Sequence, residues 1–359
     1  MEKLLTHFSE NIILRKAQFP NTRYQGSKLK LVNWIGENVK FLDFENTGDI
    51  FGGTAAVSYM FKMKDKSVVY NDLLKFNYYT GAALIENSSE LINYDDLNIV
   101  LSEQNDENYS LVQNIFKDVY FTDDENIFID NYIYNLNSYF DHYSYKYAML
   151  LWCLFQACII KRPFNLFHRK NLYMRTNDVK RSFGNKVTWD KSFNWYIRKF
   201  TEELNQAIFD NGKQNISLNM DAMELDIDFD LVYIDTPYIS INGSNVDYLH
   251  FYHFLEGLCG YEGWKDKIDF SKKHKPLKNI FNPWNYKDKI SKAFVDLLNK
   301  YRKSHIVISY RSDGIPSIEF LVDTLKKLKK NVTVFSYGEY RYVLSQNGKS
   351  QEMLILGYD

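Results

Sequence analysis

The segment LVYIDTPYIS, residues 231–240, ends a run of apolar residues in Asp235, Thr236, Pro237 and Tyr238. A proline fixes its own backbone angle and pushes the preceding residue toward an extended conformation, so Pro237 alone accounts for a turn. It does not account for an acid and an aromatic held together at a carboxyl strand end, where open α/β sheets place their ligands. A carboxylate there accepts hydrogen bonds from amino or hydroxyl groups, and an aromatic ring stacks on a flat ligand. DIFGGTAAVS, residues 49–58, is a second constellation. Gly52 and Gly53 let the backbone approach a ligand closely, and the helix start beyond them offers free amide groups. By itself such a Gly-Gly is either a tight turn or a cofactor site. However, VVYND places Asp72 about 20 residues beyond Gly52, where nucleoside-binding α/β folds put a carboxylate on the ribose. There is no GxGxxG, which favours a nucleoside without phosphates over a pyrophosphate cofactor. In RYQGSK, Gly26 permits a close turn, Tyr24 and Lys28 can reach a carboxylate or aromatic group of a ligand, and Ser27 suits a helix cap.

These residues need a sheet to hold them. SKLKLVNWIGENVK (27–40) has the spacing of a helix with one buried face, GDIFGG is a short strand running into a glycine turn, TAAVSYMFKMK is a helix, and SVVYND (67–72) is the next strand. A strand-helix-strand crossover implies a parallel sheet. Residues 90–145 are polar, acidic and weakly periodic, as expected of an insertion on the sheet edge, whereas YKYAMLLWCLFQACII (145–160) is a helix buried nearly all round. A helix follows over about 190–209. The sheet pattern then resumes with NISLNMDAMEL, FDLVYIDTPY, a helix over 246–258, a helix in KISKAFVDLLNKYR, the strand SHIVISYRSDG and a helix in SIEFLVDTLKKLKK. NVTVFSYGEYRYVL and EMLILGY close the chain as two strands near enough to pair antiparallel. The sheet is thus discontinuous in sequence, and its middle is available as a separate lobe.

The 359 residues, 45% of them hydrophobic, suffice for a substantial core in one large domain or two. No run of about 18 apolar residues exists to span a bilayer, and the amino terminus carries polar and acidic residues where a secretory segment would be apolar, so a cytoplasmic protein is expected. Cys153, Cys158 and Cys259 have neither disulfide-framework nor zinc-site spacing and read as buried thiols. His250 and His253 mimic a metal pair, but no carboxylate at matching spacing completes one, and no metal is expected. Net charge is −1, yet its distribution is uneven: acids dominate residues 90–130, while residues 161–186 hold eight Lys or Arg against the single acid Asp178. Interleaved with Phe164, Phe167, Tyr173 and Phe183, that basic block is either a nucleic-acid surface or a solvated loop. KKHKPLK (272–278) presents the same choice, and Arg311 with Asp313 either lines a cleft or closes a turn.

Taken together, RYQGSK, DIFGGTAAVS, VVYND, NMDAMEL and IDTPY resemble, in order and spacing, the motifs of the alpha-class, Dam-like DNA adenine methyltransferases that use S-adenosylmethionine. FYHFLEGL, ISYRSDG and EMLILGY resemble that family's later helix and strands. The resemblance implies an α/β fold: a Rossmann-like methyltransferase sheet with helices on both faces and an inserted, mostly helical target-recognition domain. It divides the chain into a cofactor-binding half (1–89), a recognition region (90–212) and a catalytic half (213–359). It places Tyr24 and Lys28 near the methionine part of the cofactor, Phe51, Gly52 and Gly53 beneath it, Asp72 on its ribose, and Asp221 and Ala222 beside its adenine. Asp235, Thr236, Pro237 and Tyr238 would hold a target adenine flipped out of double-stranded DNA, with Tyr238 stacked on its face. Asp235 would also border the cofactor. Thr236 stands where the family usually has proline. Because the group used there is a backbone carbonyl, threonine can supply it, and activity is expected to survive. Arg162, Arg169, Lys170, Arg175 and Arg181 become candidates for phosphate or guanine contact. A restriction endonuclease is the implied functional partner, and a monomer is expected. Methylation of the cytosine amino group, an RNA substrate, and a DNA-binding relative without catalysis are the alternatives.

Overall fold

A computed structural model describes residues 17–103, 109–177, 186–241, 246–338 and 350–359. Nine strands occur among them: β1 (Asn46–Asp49), β2 (Ser67–Asn71), β3 (Ile216–Leu218), β4 (Leu231–Ile234), β5 (Ile239–Ser240), β6 (His305–Arg311), β7 (Gly314–Ile315), β8 (Asn331–Tyr337) and β9 (Glu352–Tyr358). Seven form one Rossmann-like sheet in the order β3-β2-β1-β4-β6-β9-β8, and β5 pairs with β7 beside it. The pairs from β3 through β6 are parallel, whereas β9 runs antiparallel to both β6 and β8.

Alternation along the strands explains why helices cover both faces. In β4, Leu231 and Tyr233 belong to one hydrophobic core and Val232 and Ile234 to the other. In β9, Leu354 and Leu356 face the first core and Ile355 the second. A strand buried on both sides must be apolar throughout, as LVYI is. Helices Ile290–Lys300 and Ile318–Lys326 cover the second face. The first face takes helices Val32–Val39 and Ala56–Met63 together with the insert.

That insert shares its core with the sheet, since residues of Tyr145–Ile160 and Phe193–Ala207 join the same hydrophobic cluster as β2 and β4. Its acidic stretch is largely helical: helices Tyr94–Val100 and Asp123–Tyr139 lie within it. Both begin in capping boxes, Asn93 with Asp96 and Thr122 with Glu125, and TDDE is a sequence signature for such a start. The first helix starts later than Ser27 suggests, with Leu31 at its cap position. Ser27 instead lies 3.3 Å from the Thr54 hydroxyl. The three cysteines are buried and free. Among the described residues no helix is long and apolar enough to cross a membrane.

Candidate active site

Three neighbouring parallel strands end in carboxylates. Asp49 is the last residue of β1, Asp72 follows β2, and Asp235 follows β4. The sheet order β2-β1-β4 therefore sets the three acids in a row along one edge. All three line a cavity of about 330 Å3, together with Tyr24, Gly26, Lys28, Phe51, Gly52, Gly53, Asp221, Ala222 and Pro237. The folding that creates this edge is local. Gly53 has φ +49°, a conformation that L side chains rarely adopt, and a Cβ at Gly52 would collide with the Tyr70 ring. At Gly26, φ is +83° and a Cβ would strike the Tyr248 hydroxyl.

Asp72 is held by the turn that it faces. Its carboxylate accepts from the Gly53 amide at 3.0 Å and the Leu74 amide at 2.9 Å. Burial raises its pKa, while those two amides oppose the rise. Asp49 accepts from the Ser58 hydroxyl at 2.7 Å on one oxygen, and the other oxygen is buried without a partner in the structure. Burial, opposed by Ser58 and reinforced by Asp235 and Asp72, pushes the Asp49 carboxyl up to about 7. Asp49 was not singled out in the sequence, although a third strand ending in an acid was the signal.

Around Asp235 the geometry is a compact ionic cluster. Lys28 Nζ donates to Asp235 Oδ1 at 2.8 Å and to the Tyr238 hydroxyl at 2.5 Å, and that hydroxyl donates to the same Oδ1 at 2.5 Å. Glu352 of β9, fully buried, lies 3.3 Å from Lys28 Nζ. Burial alone would lower the Lys28 pKa, but Asp235 and Glu352 together raise it, so the ammonium is kept charged. Burial raises the Asp235 pKa, Lys28 opposes this and Glu352 adds to it. Both hydrogen bonds to Asp235 fall on Oδ1.

One residue of this cluster sits otherwise than expected. Tyr238 does not present its ring to the cavity: it is 4% exposed, packed edge-on against Tyr310 at 5.4 Å, with its hydroxyl drawn into the charged cluster. Tyr248 forms the nearby aromatic wall. It stacks on Tyr24 at 5.5 Å and 9°, and Tyr24 stacks in turn on Tyr252 at 4.5 Å and 7°. Thr236 is buried, and its side chain is not on the cavity wall. Phe51 meets Trp284 edge to face at 5.2 Å. Trp284 and Asn282 come from the irregular segment 259–289, which nothing in its sequence tied to the site.

The basic segment divides into two groups. Arg162 is 1% exposed and donates to the carbonyls of Leu166, Tyr120 and Arg169 at 3.2, 3.2 and 3.0 Å, and to the Asn171 side chain. Arg175 pairs with Glu125 at 2.6 Å, and Lys161 reaches the same carboxylate at 2.9 Å. Neither arginine is placed to meet a phosphate, because carbonyl oxygens and an acid from the preceding acidic stretch already engage them. Arg169 and Lys170 are exposed. Arg181 lies outside the described residues. His253 donates to or accepts from Tyr120 at 2.7 Å inside the core, His250 packs on His274 at a ring separation of 5.2 Å, and Arg311 closes a turn on Asp313 at 2.5 and 2.7 Å.

Comparison with known proteins bears on this geometry. Residues 24–319 match the family described as D12 class N6 adenine-specific DNA methyltransferase. The chain is 26% identical to the type II methyltransferase M2.HphI of Haemophilus parahaemolyticus over 353 residues, covering 96% of this chain and 98% of that protein. It is 29% identical to modification methylase StsI of Streptococcus sanguinis and 28% identical to type II methyltransferase M.FokI of Planomicrobium okeanokoites. Each of these alignments covers 85% of this chain and 46% of the relative, so the chain spans about half the length of both.

Proposed function

Because the chain belongs to the D12 class of N6 adenine-specific DNA methyltransferases, we propose that the row of carboxylates binds S-adenosylmethionine and a flipped-out adenine side by side. The cofactor fits the residues present. Asp72 carries a carboxylate fixed by two amides beside an open glycine turn, and Asp49 has a buried oxygen still without a partner. Asp72 would accept from the ribose hydroxyls, Gly52 and Gly53 would lie under the methionine part, Asp221 and Ala222 would border the adenine, and Tyr24 would close the far wall. When bound, S-adenosylmethionine supplies an electrophilic methyl group whose bonding electrons remain on sulfur as it leaves.

Asp235 carries the chemistry on this reading, and the supporting observation is that both of its hydrogen bonds fall on one oxygen of a cavity-lining carboxylate. Its other oxygen, Oδ2, accepts from the exocyclic amino group and draws the nitrogen lone pair out of ring conjugation. It also balances the positive charge that the nitrogen gains, and the surplus amino proton leaves through the same hydrogen bond. The Thr236 carbonyl serves as second acceptor, and Pro237 restricts the backbone that carries it. Tyr248 offers the face on which the base stacks, while Tyr238 acts through its hydroxyl. The helical insert reads the DNA, with Arg169, Lys170 and the exposed Lys272 and Lys273 on the phosphates. The relatives are named as modification methylases and type II methyltransferases, and on that basis a restriction endonuclease recognising the same site is the functional partner.

Single-molecule sequencing of genomic DNA from a methylation-free host expressing the chain tests this reading. N6-methyladenine confined to one short sequence is the expected result. Methylcytosine, or no modification by soluble cofactor-binding protein, would contradict it.

A further inference from the structure

Glu352 is a charged residue in a place that favours apolar ones. It opens EMLILGY, the strand β9 that runs between β6 and β8, and its side chain has no exposure. An ionised carboxylate so buried is costly unless it is paired, and a well-packed apolar residue is usually at least as stable there. What Glu352 touches suggests why an acid occupies the position. Its Oε1 accepts from the Ser309 hydroxyl of β6 at 2.7 Å, lies 3.3 Å from Lys28 Nζ, and lies 3.4 Å from the Tyr238 hydroxyl, whose one proton goes to Asp235. Lys28 and Tyr238 are the two groups that donate to Asp235 Oδ1. One ammonium therefore lies between two carboxylates, one in the sheet interior and one on the cavity wall.

We propose that Glu352 is a positioning residue for methyl transfer: it anchors Lys28 and Tyr238 so that both commit Asp235 Oδ1, leaving Oδ2 as the oxygen presented to the target amino group. The proposal rests on the assignment of Asp235 as the acceptor of that group. Among the described residues, the other ionisable groups facing Asp235 are Asp49 at the end of β1, Tyr233 on its own strand and Tyr248 from helix Tyr248–Leu258. None of them bridges to Lys28 as Glu352 does.

Glu352→Gln keeps the shape and an acceptor oxygen while removing the charge. Steady-state methylation of a duplex carrying the recognition site should show kcat reduced about 10- to 100-fold, the scale of a small misplacement at a reacting group. S-adenosylmethionine binding by calorimetry and the melting temperature should stay close to wild type. Glu352 contributes to the raised pKa of Asp235. The acid limb of the kcat profile should therefore move to lower pH in Glu352→Gln, a change that a merely structural residue would not produce. In a Lys28→Met background the same substitution should cause little further loss. A wild-type kcat and pH profile overturns the proposal, as does a loss accounted for by weaker cofactor binding or lower melting temperature. If Asp235→Ala itself retains activity, the assignment beneath the proposal fails. If Asp235→Ala is inactive and Glu352→Gln is normal, only the role of Glu352 fails.

Discussion

The strand-end acids and the basic segment 161–186 were equally conspicuous in the sequence, yet the fold treats them differently. Asp72 and Asp235 both reach the cavity, because a parallel sheet brings the carboxyl ends of neighbouring strands to one edge whatever the side chains do. Of the basic residues described, Arg162 and Arg175 turn inward, while Arg169 and Lys170 stay exposed. Topology positions a strand-end residue, whereas a run of charges is sorted only by the partners that it meets. Here the acidic stretch supplies one of them, Glu125, which binds Lys161 and Arg175. Two opposite charge runs that looked like separate surfaces are partly each other's interior.

Substitutions can sharpen this contrast. Arg162→Ala should destabilise the protein by about 3 kcal/mol or more in a denaturant melt, since it strands several buried acceptors. Asp72→Ala should leave stability far less affected and weaken S-adenosylmethionine binding about 100-fold by calorimetry, equivalent to about 2.7 kcal/mol. Tyr248→Ala should weaken capture of the flipped base by about 1 to 3 kcal/mol, read from 2-aminopurine fluorescence at the target position. Tyr238→Phe should leave that signal unchanged while lowering kcat, and the reverse pattern would return the stacking role to Tyr238. Replacing Arg169 and Lys170 together by Ala should alter stability by no more than about 0.5 kcal/mol. It should lower the slope of log affinity against log salt by about 2, one for each phosphate contact.

A further expected effect is one of pH. His168 of the basic segment and His274 of the second basic stretch meet near His250, and burial, helped by the neighbouring cationic and imidazole groups, depresses each to about 4. Their folded pKa lies below the unfolded value of about 6.5. The unfolded chain therefore binds protons first, and stability should fall as pH drops from about 6.5 toward 4. Thermal melts of wild type and His274→Gln across that window would check the sign, with a shallower dependence expected in the variant.

Much of the fold was legible in the sequence because strands buried on both faces, such as LVYI, and the helix YKYAMLLWCLFQACII leave few alternatives for their apolar residues. Helix Asp123–Tyr139 was missed because its hydrophobic pattern is weak, and only the capping box TDDE announced it. Residues tied to strand ends or glycine turns, Asp72, Gly52, Gly53 and Asp235, were singled out for the same topological reason that they reach the cavity. Those that arrive through tertiary packing were not: Glu352 comes from the far end of the chain, and Trp284 from a segment without periodicity. The inward turn of Tyr238 was hidden too, since it depends on the Lys28 ammonium meeting two carboxylates that lie far apart in sequence.

The most direct measurement is methyl transfer to duplex DNA by wild type and Asp235→Ala, with the modified base identified by mass spectrometry and cofactor binding followed in parallel. The account predicts N6-methyladenine from wild type, and from Asp235→Ala a loss of at least about 1,000-fold with S-adenosylmethionine still bound. Methyladenine formed by Asp235→Ala at a rate near wild type would contradict it.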